Sequence, residues 1–322
     1  MEPTIEEKKE DIKALLLCCS RFAFPVMQQL AYFGQLGAVL IPDHCPEIIE
    51  ETREMLKATD IPVIESSKTA FEEKACSAIE QYQINLGIVL TFSFIIPSSV
   101  FSLPAKGFFN VHPGPLPAYR GADPIFHQLK NREKYAGLAI HKVDEGADSG
   151  DIVLQEKIPL HAHDTYGILS EKLAVLAVKL TGTLIQILSM GFAAPSRPQD
   201  ESKAHYYPKQ SNEELAIDWL TQDAASIIAL INACNPHNKG AATKINTKLI
   251  RLLQAENIPY DNDEPVPPGT ILYLDDEYMD IAVIGGQGLR VRFVFIEEGY
   301  LPPAALKQFG MAPGLQFENV YQ

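Results

Sequence analysis

The segment Phe108-Phe109-Asn110-Val111-His112 runs directly into Pro113-Gly114-Pro115-Leu116-Pro117, and this junction constrains the fold more than any other part of the chain. Three prolines in five residues exclude helix and central strand there, because a proline nitrogen has no hydrogen to donate. A short apolar strand over 108–111 must therefore end in a rigid loop. Upstream, Leu86-Gly87-Ile88-Val89-Leu90 is uniformly apolar, and 12–19, apart from Lys13, and 36–41 are further such runs. Strands apolar at every position are buried on both faces, as in a mostly parallel sheet covered by helices. Folds of that kind place their sites in the crevice beyond the carboxyl ends of the strands. Alternate residues share a face of a strand, so Asn110 and His112 point the same way.

The remaining spacing fits a Rossmann-like α/β domain. No glycine-rich phosphate turn follows the first strand; Ser20-Arg21-Phe22-Ala23-Phe24-Pro25 stands there, and a dinucleotide reading fails. Residues 1–10 read as a lead-in. Helices are predicted over 25–33, over 42–59 with Ile48, Ile49, Met55 and Leu56 on one face, and over 71–82 with Phe71, Ala75, Ala78 and Ile79 inward. Strands are predicted at 61–64 and 136–140. A long helix over 165–190 repeats Ile168, Leu169, Leu173, Leu176, Leu180, Leu184 and Ile187 and stops at Gly191. His161-Ala162-His163-Asp164 lacks further ligands at tetrahedral spacing, so it reads as the helix entrance with Asp164 near the cap, and no metal is expected. A polar, proline-containing linker spans 193–204. Beyond it come a helix over 223–233 and short alternating runs at 248–253, 269–274, 280–284 and 289–295, a small β-barrel pattern. The expected domains are 1–192 and 205–322.

The chemistry gathers in 107–152. Asn110 can donate a hydrogen bond to a developing oxyanion. His112 can stabilise the same charge or move a proton near neutral pH. Asp148, in the turn Asp144-Glu145-Gly146-Ala147-Asp148-Ser149-Gly150-Asp151, can orient and charge that imidazole or take a proton from an attacking group. An amide, an imidazole and a carboxylate without a nucleophilic Ser or Cys suit direct acyl transfer to an external nucleophile.

Asn110-x-His112, Leu116-Pro117-x-x-Arg120-Gly121-x-x-Pro124 and Asp148-x-Gly150-x-Ile152 together resemble the signature of the folate-dependent formyltransferases. The 205–322 region, with Ile217-Asp218-Trp219 and Asn235-Pro236, is similar to the OB-like C-terminal domain of methionyl-tRNA formyltransferases. The resemblance implies 10-formyltetrahydrofolate as formyl donor, with Asn110, His112 and Asp148 catalytic. It also implies that Phe94, Ile95 and Ile96 hold the pterin, with Val143, Glu145, Gly146 and Ala147 on the facing loop. Pro113, Gly114 and Arg120 become candidates for acceptor binding. Many relatives have Pro-Ser-Leu-Leu-Pro where this chain has Pro113-Gly114-Pro115-Leu116-Pro117, so a hydroxyl and a backbone donor are missing from that loop.

Charge bears on the acceptor. The 322 residues carry a formal charge of −14, which disfavours nucleic acid. From residue 205 onward there are eight Lys/Arg against fifteen Asp/Glu, and Asp275, Asp276, Glu277 and Asp280 cluster. Where methionyl-tRNA formyltransferases carry a longer basic segment, this chain has the acidic PDHCPEIIEETREMLKAT. A small-molecule or carrier-bound amine is therefore expected as acceptor, with methionyl-tRNA the alternative and DNA excluded. A non-catalytic folate-binding relative and a formyl-folate hydrolase stand as further readings. With no apolar run of about 18 residues, no signal-like start and five cysteines in no CxxC pattern, a cytoplasmic protein without a membrane span is expected.

Overall fold

The computed structural model describes residues 10–260 and 266–321; all but the last residue of the expected lead-in lies outside them. Seven strands form the main sheet: β1 (Ala14–Cys18), β2 (Leu36–Pro42), β3 (Val63–Ser66), β4 (Leu86–Leu90), β5 (Phe108–His112), β6 (Tyr135–Lys142) and β7 (Ile152–Pro159). Their order is β3-β2-β1-β4-β5-β6-β7. Pairings from β3 through β5 are parallel, and the winding direction reverses between β1 and β4, where such sheets open a crevice. The pairing of β5 with β6 is antiparallel.

Helices α1 (Phe24–Tyr32), α2 (Pro46–Leu56) and α3 (Phe71–Gln81) connect the parallel strands. The apolar stripe of α3 is the one its spacing predicts: Phe71, Ala75 and Ile79 pack on Leu15, Leu17, Leu40, Val89 and Phe108 of the sheet. Fully burying each such side chain contributes about 1.5–3 kcal/mol, so this layer dominates the local stability.

After α4 (Pro124–Lys130), the chain forms α5 (Tyr166–Ser189), whose buried stripe runs Leu169, Leu173, Ala177, Leu180, Leu184 and Leu188. Ile168 lies outside it, 45% exposed. The cap also differs from expectation. The Thr165 hydroxyl accepts the Ile168 N–H at 3.4 Å, while buried Asp164 accepts the His161 N–H at 2.9 Å in the preceding turn. Asp164 lies one residue too early to meet the free N–H groups of the first helical turn.

Helix α6 (Ala224–Ala233) precedes an antiparallel sheet of β8 (Ala241–Ile245), β9 (Lys248–Pro259), β10 (Ile271–Leu274), β11 (Met279–Val283), β12 (Gln287–Ile296) and β13 (Gly299–Leu301). The order is β8-β9-β12-β11-β10, with β13 on β12. Buried Trp219 anchors this part: its indole N–H donates to the Thr243 hydroxyl at 2.9 Å and its ring stacks on Phe317. Strand β8 was not predicted, because Ala241-Ala242-Thr243-Lys244-Ile245 lacks a clean alternation.

Two compact units interleave along the chain. The first comprises Met1–Gly121, Gly137–Ile158 and Ser170–Tyr206; the second comprises Ala122–Ala136, Pro159–Leu169 and Tyr207–Gln322. The 193–204 stretch lies within the first. No helix among the described residues is long and apolar enough to cross a membrane.

Candidate active site

The antiparallel register of β5 and β6 sets Asn110 directly opposite His141, and His112 opposite Ala139. Opposite residues share a sheet face, so a second imidazole joins the predicted pair. His141 was missed from sequence because Ala136–Ile140 reads only as a buried run until its antiparallel partner is known. Beyond β5 the proline loop is seated on β6: a Cβ on Gly137 would lie 2.9 Å from Pro115 Cβ, so only glycine lets the loop pack that closely. The Gln155 side chain accepts the Leu116 N–H at 2.9 Å.

Asp148 arrives from the other side, on the turn after β6. Asp144 shapes the turn by accepting the Gly146 N–H at 3.1 Å and the Ser149 hydroxyl at 2.9 Å. Asp148 itself is left-handed, with φ 54°, a conformation uncommon for non-glycine residues and more costly than the usual regions. Gly150 supplies part of the constraint on this turn, since a Cβ there would fall 1.9 Å from the Lys142 carbonyl oxygen. A backbone obstacle inside a paired strand cannot rotate away. Gly150→Ala is expected to cost about 1–3 kcal/mol or more, read as a drop in urea midpoint; an unchanged midpoint would show that the turn is looser than this contact implies.

At the centre, one carboxylate oxygen gathers three side chains. Asp148 Oδ1 lies 2.9 Å from Asn110 Nδ2, 3.3 Å from His141 Nε2 and 3.6 Å from His112 Nδ1. Oδ2 accepts the Gly121 N–H at 2.9 Å. A carboxylate only accepts, so the Asn110 amide nitrogen, not its oxygen, must face Asp148. Its second hydrogen meets His141 Nε2 at 3.1 Å. His141 Nδ1 faces the Lys142 carbonyl at 2.8 Å and therefore carries the ring hydrogen, leaving Nε2 as the acceptor in the neutral ring. By the same reasoning His112 Nε2–H donates to the Tyr119 carbonyl at 2.5 Å, and its lone pair at Nδ1 faces Asp148.

Burial pushes the His112 imidazole below its ordinary pKa, with Asp148 partly opposing. Desolvation outweighs the carboxylate there, so burial works against the imidazolium in the free protein. For Asp148, burial alone would raise the pKa, but the charge of His112 or His141 when protonated, together with the Gly121 N–H, holds it well below the usual carboxylate range. It is ionised at any physiological pH.

The other predicted residues divide. Phe94, Ile96 and Val143 pack together on the cluster of Phe71, Val89 and Val100. Ile95 projects outward, 86% exposed, and Glu145, Gly146 and Ala147 are exposed on the turn that carries Asp148. An apolar wall beside exposed backbone of this kind fits a flat pterin, which needs ring contacts and peptide hydrogen bonds. Pro113 and Gly114 are buried at the start of the proline loop. Arg120, expected to meet an acceptor, is only 10% exposed and is committed elsewhere: it donates to Gln199 Oε1 at 2.9 and 3.1 Å and pairs with Glu201 at 2.6 Å. Among the described residues, no group of three or more His, Cys, Asp or Glu forms a metal cluster.

Residues 40–184 match the formyl transferase family model, and residues 209–299 match its C-terminal domain. The chain belongs to the formyl transferase family. It is 31% identical over 247 residues to the methionyl-tRNA formyltransferase of Ralstonia nicotianae, covering 76% of this chain and 74% of that protein. The N-formyltransferase from Helicobacter canadensis, solved with folinic acid and dTDP-3-aminofucose, superposes with a TM-score of 0.66 at 19% identity, over 87% of this chain and 99% of that one. HypX from Aquifex aeolicus, solved with tetrahydrofolic acid, gives 0.64 at 19% identity, over 97% of this chain and 51% of that longer protein. The two structural likenesses establish the formyltransferase fold. The family assignment makes this chain a folate-dependent one-carbon transferase.

Proposed function

We propose that this formyltransferase moves the formyl group of 10-formyltetrahydrofolate to a primary amine at the centre formed by Asn110, His112 and Asp148. The observation that carries this reading is the convergence of an amide and two imidazoles on Asp148 Oδ1 within 3.6 Å. Phe94, Ile96, Val143 and the 145–147 turn would hold the donor, which when bound supplies the formyl carbon on a nitrogen leaving group.

Asn110 turns one amide hydrogen from His141 Nε2 to the oxygen that becomes an oxyanion as the amine attacks. An oxyanion is a stronger acceptor than a neutral imidazole, so the exchange favours the transition state. His112 Nδ1 receives the proton released by the attacking nitrogen, and the carboxylate 3.6 Å away stabilises the imidazolium. Asp148 is too acidic to hold that proton well itself. When the tetrahedral adduct collapses, the bond to the donor nitrogen breaks and His112 returns the proton to that nitrogen.

For the acceptor, the names of the curated relatives favour methionyl-tRNA over the small amine expected from charge. A feature of the C-terminal unit supports a phosphate-bearing acceptor. Arg290, Arg292, Lys307 and Lys244 are neutralised by Asp280, Glu256, Asp276 and Glu318. Lys239 and Arg251, with His237 and with Lys248, which pairs with Glu298 at 2.9 Å, line one cavity of about 990 Å³ beside Phe295 and Glu297. Three of the eight cations counted from residue 205 thus meet in one place, which a net charge conceals. A second reading, a small or carrier-bound amine, is favoured around α2, where Arg53 and Lys57 pair with Glu50 and Glu54 and Arg21, from the turn after β1, pairs with Glu51.

Release of tetrahydrofolate from 10-formyltetrahydrofolate would be followed with methionyl-tRNA, a nucleotide-linked amino sugar, a carrier-tethered amino acid, or water alone. Turnover with methionyl-tRNA is expected. Turnover confined to a small or tethered amine would replace that acceptor, and equal release in water alone would overturn transfer in favour of hydrolysis.

A further inference from the structure

We infer that Gln199, on the stretch expected to be a passive linker, is a positioning residue that holds Asp148 in its catalytic conformation; this rests on the proposed role of Asp148. The segment 196–205 is laid across both loops that form the centre. Arg197 pairs with Ile152 through two backbone hydrogen bonds of 2.9 and 3.0 Å, which makes the segment a short edge strand beside the Asp148 turn. Ser196 donates to Asp151 at 2.5 Å and accepts from Lys142 Nζ at 2.8 Å. At the other end the His205 N–H donates to the Pro117 carbonyl, and the Arg120 N–H donates to the His205 carbonyl.

Gln199 sits in the middle of this strap and uses both ends of its amide. Its Nε2 donates to the Asp148 carbonyl at 2.8 Å and to the Gly150 carbonyl at 2.7 Å. Its Oε1 accepts two hydrogens from Arg120, whose guanidinium is fixed in turn by Glu201. With the acceptor end occupied by a guanidinium, the orientation of the amide is determined, and both its hydrogens face the turn. Those two hydrogens pin the carbonyls on either side of Ser149, directly after the left-handed φ of Asp148. A residue in that region relaxes toward a commoner conformation when its supports are removed. Such relaxation swings the carboxylate, whose useful contacts span only 2.9–3.6 Å. Arg120 thereby acquires a role other than acceptor binding: it orients Gln199.

Gln199→Glu tests this without emptying the position. The carboxylate keeps the acceptor for Arg120 but has no hydrogen for either carbonyl. Tetrahydrofolate release with methionyl-tRNA as acceptor, and with water alone, is expected to fall by about 10-fold or more, up to ~10²-fold, as for other misplacements near 1 Å. The KM for 10-formyltetrahydrofolate should stay within about twofold, and the melting temperature should hold. Independently of any acceptor, the imidazole titration of His112 followed by NMR should move to lower pH as the carboxylate withdraws. Unchanged turnover with an unchanged titration overturns the proposal. A joint fall of kcat, donor affinity and melting temperature also overturns it, leaving Gln199 as a strut of the fold. Asp148→Asn is run alongside: if that variant keeps full turnover, the reading of the centre fails first; if it is silent while Gln199→Glu is normal, only the role of Gln199 fails.

Discussion

Asn110→Ala should lower kcat by about 10²–10³-fold, the loss of about 2.7–4 kcal/mol that follows removal of one preorganised oxyanion donor. The structure adds a distinguishing detail. Both amide hydrogens of Asn110 are engaged in the free protein, one by Asp148 at 2.9 Å and one by His141 at 3.1 Å. Removing the side chain therefore also takes a hydrogen bond from an ionised carboxylate, which costs more than losing a neutral pair. The effect should fall on kcat and kcat/KM equally, because the contact with the oxyanion exists only in the transition state. His141→Gln should be milder, since it removes only the resting acceptor of one hydrogen. Steady-state kinetics of the two variants check this, and an Asn110→Ala enzyme with near-normal kcat would remove Asn110 from the mechanism.

Asp148→Asn should be at least as damaging, by about 10²–10⁴-fold, the range for losing a group that supports proton transfer. Whichever way the amide turns, its NH2 faces a donor, Asn110 Nδ2 or the Gly121 N–H, and His112 is left without its counter-charge. The same variant tests the electrostatics of folding. The Asp148 pKa is lower in the folded chain than its unfolded value of about 3.9. Its contribution to stability is therefore fully present above about pH 4 and is lost as pH falls through the lower folded value. The difference in unfolding free energy between wild type and Asp148→Asn should hold steady from pH 7 to about 5 and shift against wild type by pH 3. Parallel stability curves down to pH 3 would mean that the carboxylate gains nothing from its neighbours.

What could be read in advance was set by local physics. The buried stripe of α3 followed from 3.6-residue spacing alone, and the apolar runs of β1, β2 and β4 announced a sheet covered on both faces. Asn110 and His112 could be placed together because the two-residue period of a strand is local, and the prolines after them could form nothing but a loop. Asp148 could be singled out as a carboxylate in a turn close in sequence, and the family motif strengthened that reading, but nothing in its own neighbourhood says where the turn points.

The sequence by itself determined the α/β class, the strand ends that bear the chemistry, the formyltransferase signature and the antiparallel tail. Tertiary structure alone decided the rest, because each remaining feature depends on partners far apart in the chain. His141 entered the centre through the antiparallel register with Asn110. Gln199 became part of it by crossing about fifty residues of sequence to the Asp148 turn. Arg120 left the candidate acceptor site because a guanidinium bonds to whichever oxygens the fold supplies, here Gln199 and Glu201. The downward push on the His112 pKa comes from burial, a property of the folded environment and not of residue type. Net charge says little about the C-terminal unit for the same reason: composition counts charges, and only the fold decides which are paired and which line a cavity.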